Sequence, residues 1–410
     1  MLQSSPYSIA HDVSLPPGYS FAPNWPANEN DLPSNQLSFE EWTTREQLEA
    51  NTVAWSRLAE MAVEPNPFYE FAAMESAWKH LRTDESVSII AIWSPPRVNA
   101  QGDRVLCGVF PIRKSNRYQG LPIKTIELWR HEQCFLTNPL IRRDSVDEVW
   151  QFFLNSVVAK LKAGFISLPM IAADGISHQR LVNLLDSSHQ EHLIRRTYYR
   201  AMLNRDFDGE SYLANQISKK ARSETRRLRN KLSEQHTIDW EYFNDGKDLE
   251  AWIDEFLLLE KAGWKGEQST ALGCHHQTTD FFRSWLLQLA INGQLQRLSV
   301  RCNGRMIAGK VNIVSGLSSF AYKIAYAPEF HTFSPGRLLE IENILRFHET
   351  DLLAMDSCAD PNHPMIDHLW SGRKPIHSVL IATNRRFAKL ALAAYPLMRW
   401  CKRSLSRDSK

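Results

Sequence analysis

Ser318-Ser319-Phe320-Ala321-Tyr322-Lys323-Ile324-Ala325-Tyr326-Ala327-Pro328 runs into Glu329-Phe330-His331-Thr332-Phe333-Ser334-Pro335-Gly336-Arg337, and then into Leu338-Leu339-Glu340-Ile341-Glu342-Asn343-Ile344-Leu345-Arg346-Phe347-His348-Glu349. The three pieces read as a strand, a tight loop and a long amphipathic helix. A helix that starts just past a strand end presents free backbone N–H groups and the positive end of its dipole, which together attract anions. Ser334 suits the N-cap and Pro335 the first helical position. Gly336 lets an anion approach the backbone without a Cβ in the way, and Arg337 adds a charge beside it. Pro335 has no N–H, so one donor is missing from a full cradle. The same residues also suit a well-capped core helix with no ligand.

The rest of the chain sets bounds on that reading. With 410 residues, two domains are expected. A hydrophobic content of 43% with 23% charged residues is globular. The net charge of +2 excludes a polyanion binder by composition, so any basic function is local. Cys107, Cys134, Cys274, Cys302, Cys358 and Cys401 show no C-x-x-C spacing, which argues against zinc and a disulfide framework and fits a reducing cytoplasm. The N-terminus reads as no signal peptide, and no apolar run approaches the roughly 18 residues of a membrane span.

Four segments are expected. Residues 1–38 hold six prolines and form an irregular arm. Residues 39–205 form a first α/β domain: a helix over 39–61, a second ending near Leu81, a hairpin of Val87–Trp93 with Val105–Arg113 around a loop at 95–103, a helix at 149–161 and a strand at 165–171. Residues 206–385 repeat that order, with strands at 237–243, 296–302, 306–314, 320–326 and 352–356, and Ile376–Ala382 closing the sheet. A basic helical segment, 212–232, precedes them; Lys219 to Lys231 holds seven basic residues and one acid. Residues 386–410 form a basic amphipathic tail. The shared order indicates duplication at the level of fold.

Known GNAT acyltransferases carry a pyrophosphate loop of pattern Q/R-x-x-G-x-G/A after a strand ending in x-Pro. His331-Thr332-Phe333-Ser334-Pro335-Gly336 has that spacing and its last glycine, with His331 replacing Gln/Arg and Ser334 replacing Gly. Four further features keep the order of one group: Asn66-Pro67-Phe68, the basic Lys219–Lys231 helix, Gly263-Trp264-Lys265-Gly266, and Asp356-Ser357-Cys358-Ala359-Asp360-Pro361 followed by Trp370 and Arg373. Over residues 40–385 the chain resembles the GNAT acyltransferases of the cellulose-biosynthesis (CelD-type) group, related to the FemABX peptidoglycan aminoacyltransferases. The resemblance implies two tandem GNAT folds with mixed, mostly antiparallel sheets, and a donor site in the second. It implies acetyl-CoA or another acyl-CoA as co-substrate, no permanently bound cofactor, and direct transfer in a ternary complex. Ile324 and Tyr326 would border the pantetheine arm, with a strand N–H stabilising the oxyanion. His331, Phe333, Ser334, Gly336, Arg337 and Leu338 would surround the diphosphate. Arg222, Arg226, Trp264, Lys265 and Lys323 are the candidates for binding an anionic or saccharide-type acceptor, such as a cell-envelope or polysaccharide precursor.

Acyl transfer benefits from a general base. His363 is the candidate by residue type, with Asp356 nearby in sequence and Tyr322 as a proton donor to the leaving thiolate. The same His and Asp residues also suit a turn and helix start, and Tyr322 suits a strand core. Two rivals stand beside the acyl-CoA reading: an aminoacyl-tRNA donor, and a binding protein without catalysis. No helix-turn-helix or zinc module points to DNA. The tail is expected either to dock on the protein or to lie on an anionic membrane, making the chain cytoplasmic or peripheral to the inner membrane face.

Overall fold

The computed structural model describes residues 37–95, 104–205 and 208–395. Most of the Pro-rich arm, the hairpin loop at 96–103 and the tail beyond 395 lie outside the described residues.

The first half contributes β1 (Ser38–Trp42), β2 (Val87–Trp93), β3 (Leu106–Ser115), β4 (Thr125–Leu128), β5 (Leu140–Ile141), β6 (Phe165–Ala172) and β7 (His192–Asn204). The second contributes β8 (Ile238–Phe243), β9 (Leu295–Cys302), β10 (Arg305–Ser315), β11 (Ser318–Tyr326), β12 (Ala354–Asp356) and β13 (Gly372–Ala382). All join one mixed sheet, in the order β1-β2-β3-β4-β6-β13-β7-β12-β11-β10-β9-β8, with β5 on β3. That order is palindromic when the halves are exchanged. Each half has one parallel pair, β4 with β6 and β11 with β12, and the other pairings are antiparallel. The last strand of each half crosses over: β13 lies between β6 and β7, and β7 lies between β13 and β12. The two halves are thus a duplicated fold whose final strands are exchanged.

Several expectations need correction. Residues 38–42 form the edge strand β1 rather than the start of a helix; helices follow at Arg45–Ala50 and Thr52–Met61. β13 sits in the middle of the sheet rather than at its edge. The segment 212–232 is two helices, Gly209–Gln216 and Lys219–Gln235. They break at Ser218, whose Oγ accepts from the Ala221 N–H at 3.2 Å and caps the second helix.

Phe68 joins the halves. Its ring meets Phe135 of the first half and Trp285, Phe320 and Tyr322 of the second at centroid distances of 5.7 to 6.2 Å. Asn66 braces it by donating from Nδ2 to the carbonyls of Leu136 (3.2 Å) and Asn138 (2.7 Å). Helix Phe71–His80 then packs on helix His276–Ile291, where Gln288 donates to Glu75 at 2.9 Å. No helix among the described residues is long and apolar enough to cross a membrane.

Candidate functional site

β11 pairs with β10 along its whole length, yet with β12 only from Ser318 to Phe320. From Ala321 to Tyr326 its other edge has no strand partner among the described residues, so the parallel pair opens as a V. A 3₁₀ turn, Pro328–Phe333, leads from the mouth of the V into helix Pro335–His348. This turn helix is anchored from beneath. Lys310 of β10 meets Glu340 at 2.8 Å with both side chains buried, and Glu340 also accepts from Trp370 Nε1 (3.1 Å) and Asn343 Nδ2 (2.9 Å). Asn312 donates to Asn343 at 2.7 Å. The sequence reading missed this network. Its signal is present, in polar residues Lys310 and Asn312 within an apolar strand and Glu340 and Asn343 on an apolar helix face.

The turn departs from a simple cap. Ser334 is left-handed, φ 52° and ψ 52°, and its side chain caps nothing. The related pattern has glycine at this position, and only glycine enters that region without steric cost. The amides of Arg337 and Leu338 both donate to the Ser334 carbonyl, at 3.0 and 3.1 Å. Pro335 has none, which leaves Gly336 to offer the forward-facing N–H. Gly336 is buried against Tyr326; an added Cβ would sit 3.2 Å from that ring. The His331 ring bonds back to the Pro328 carbonyl at 3.0 Å. Phe333 is buried under the basic helix, with the Lys231 ammonium 5.3 Å from its centroid.

Helix Lys219–Gln235 therefore lies on the turn. Arg337 Nε donates to Thr225 Oγ1 at 3.3 Å, and Arg229 approaches Glu342 at 3.8 Å while lying over Trp240. Arg222 is half-buried and Arg226 exposed, and at helical spacing both fall beside Thr225 and Arg229 on this helix.

A cavity of about 360 Å³ opens beside the V. Glu260, Trp264, Lys265, Ile324, Tyr326 and His331 line it. Lys265 Nζ is paired with buried Glu260 at 2.8 Å and reaches the Ile324 carbonyl at 3.5 Å. Gly266 permits this loop, since a Cβ there would fall 1.8 Å from the Lys261 carbonyl oxygen. Lys323 lies over the rings of Phe135 (5.4 Å) and Tyr322 (5.2 Å). Burial, followed by repulsion from Lys265, lowers its pKa to about 8.

The three acid–base candidates have different surroundings. Tyr322 is buried among Phe68, Phe135, Phe282 and Trp285 and donates to Gln133 Oε1 at 3.2 Å; burial raises its pKa well above the usual phenol value. Asp356, at the apex of the V, is buried with Arg200 (3.3 Å) and Lys374 (3.1 Å). Burial opposes its ionisation, but these two cations prevail and hold its pKa below the ordinary value. His363 Nδ1 accepts from the amides of Met365 and Ile366, both at 3.3 Å, and so caps a short helix. Burial lowers its pKa.

Residues 219–363 match the model of an acetyltransferase (GNAT) domain. No curated protein matches the chain. Among solved structures, FemX is similar in fold, with a TM-score of 0.52 at 14% identity over 86% of this chain and 100% of its own. A conserved protein of unknown function from Bacteroides thetaiotaomicron is similar at a TM-score of 0.50 and 10% identity, over 82% of this chain and 97% of its own. The second half thus carries the GNAT domain match, FemX shares the fold over both halves, and the matched residues contain the V, the turn and the basic helix.

Proposed function

We propose that the chain transfers an acyl group from acyl-CoA to an amine or hydroxyl of an anionic or saccharide-type acceptor, by direct attack with both substrates bound. The observation that carries this reading is the unpaired edge of β11 from Ala321 to Tyr326, facing a cavity and running into a helix N-terminus. A strand residue sends its N–H and C=O to the same side. The Ile324 carbonyl meets Lys265 at the cavity, so the Ile324 N–H turns to the same open edge. There it would bind the thioester oxygen as charge develops. The Gly336 N–H, the helix dipole, Arg337 and the basic helix would hold the diphosphate.

Lys323 is the better base by its surroundings. His363 has its Nδ1 lone pair engaged in a cap, and Asp356 is neutralised by two cations. Lysine near pKa 8 has a sizeable neutral fraction at physiological pH. The acceptor nitrogen or oxygen attacks the thioester carbon, its proton passes to the Lys323 amine, and the C–S bond breaks to release CoA thiolate. Activity per substrate encounter, kcat/KM, should rise with pH through about 8 and lose that rise in Lys323→Met.

Thermal melting with acetyl-CoA tests donor binding. Tm should rise with about millimolar ligand in the parent chain. The rise should vanish in Gly336→Glu, and also in Arg222→Glu/Arg226→Glu, which reverses charge on the basic helix. No shift in the parent chain overturns the reading. The basic helix against the turn favours a second reading, transfer from an aminoacyl-tRNA. Salt-sensitive tRNA binding without any acetyl-CoA shift would replace the first reading with that one.

A further inference from the structure

The last described helix, residues 386–395, docks by one face and leaves the other open. Ala388 and Leu392 are buried against Tyr118, Ile123, Phe165 and Leu380. On the opposite side Phe387 is 56% and Leu390 69% exposed, one helical turn apart. Arg386 beside them is exposed, and Lys389 is half-buried within 3.7 Å of Glu191. Two large apolar side chains flanked by cations make a narrow amphipathic stripe facing outward.

A second feature adjoins it. A cavity of about 330 Å³ opens where this helix begins, with Val158, Ile166 and Ile381 as apolar lining and Lys162, Thr383 and Arg385 as polar lining. Among the described residues neither Lys162 nor Arg385 has an ion-pair partner. Lys162 is held at the cavity by a left-handed C-cap, φ 56°. From Arg385 to Lys410 the sequence holds eight basic residues (Arg385, Arg386, Lys389, Arg399, Lys402, Arg403, Arg407 and Lys410) and one acid, Asp408.

We propose that this face is a docking surface for an anionic lipid bilayer, with Phe387 and Leu390 entering the interface and Lys162 and Arg385 receiving a phosphate headgroup. Exposed aliphatic and aromatic groups side by side with unpaired cations fit a bilayer better than RNA, which would use the cations and leave Leu390 without a contact. The geometry also has a direction. Tyr395, at the far end of the same helix, lines a groove of about 400 Å³ together with Arg130, Arg196, Tyr198 and Asp360. Asp360 belongs to the loop that follows β12 at the V. A bilayer-bound chain would therefore hold that groove near the lipid surface. The proposal does not depend on which acyl donor the V receives.

The full-length chain should be sedimented with vesicles of phosphatidylcholine alone, and with vesicles containing about one-third phosphatidylglycerol. Binding should be at least about tenfold stronger to the anionic vesicles and should weaken with salt. Phe387→Asp/Leu390→Asp and Lys162→Glu/Arg385→Glu should each reduce it by about tenfold or more, with Tm unchanged. Equal binding to both vesicle types, no binding, or variants that bind like the parent chain would overturn the proposal. So would binding of RNA with vesicles ignored, or self-association that the same substitutions abolish.

Discussion

Ser334 shows how one residue records a backbone demand. Its φ of 52° is a conformation that costs a non-glycine residue roughly 1–2 kcal/mol. Glycine would remove that cost but restore some entropy to the unfolded chain. Ser334→Gly should therefore stabilise the protein by about 0.5–1 kcal/mol, read as a higher urea midpoint at unchanged slope. A fall in the midpoint would mean that the hydroxyl makes a contact worth more than the strain. From sequence, serine before proline suggested a side-chain cap, because residue type reports capping preference and not the sign of φ. Lys323 was equally opaque. Its perturbation depends on Phe135, nearly two hundred positions away, and on Lys265, brought close by another loop.

At the scale of elements, the turn helix stays in place through Glu340. Removing its carboxylate leaves Lys310 buried and unpaired, and strips acceptors from Trp370 and Asn343. Glu340→Ala should cost about 3–5 kcal/mol by urea unfolding. A loss below about 1 kcal/mol would show that Lys310 has water or another group to compensate. A strong period was legible: Val87–Trp93 was read with the bounds it has. β7 was not, because Arg195, Arg196 and Tyr199 break the apolar alternation expected of a central strand. β4 has four residues, too few for a period to register. β1 was lost for a related reason: Trp42 and Leu48 match a helical spacing that continues into the true helices after it. The site followed the same rule. The strand, the turn and the Trp264–Lys265 loop could be read locally, whereas their meeting at one cavity is a product of tertiary structure.

The whole molecule is tied by its exchanged strands. β13 supplies the partner that β6 would otherwise lack, and β7 does the same for β12. Expressed alone, residues 37–205 should be insoluble or molten, because β6 and β7 would each lose the neighbour between them. The same holds for 208–395, where β12 and β13 would be parted. Co-expressing the two pieces should give a soluble complex with a single cooperative melt. Two independently stable pieces would contradict the strand order. That order has a historical meaning as well. Two identical ancestral chains that traded their final strands across a dyad would leave this palindrome once their genes fused. The dyad relates the stretch after β4 to the stretch after β11, and the two copies have parted ways. One runs through the 3₁₀ turn into helix Pro335–His348. The other, through Gln133 and Phe135, touches Tyr322 and Lys323 of its sister. The stretch after β4 has thus become a wall packed against its counterpart.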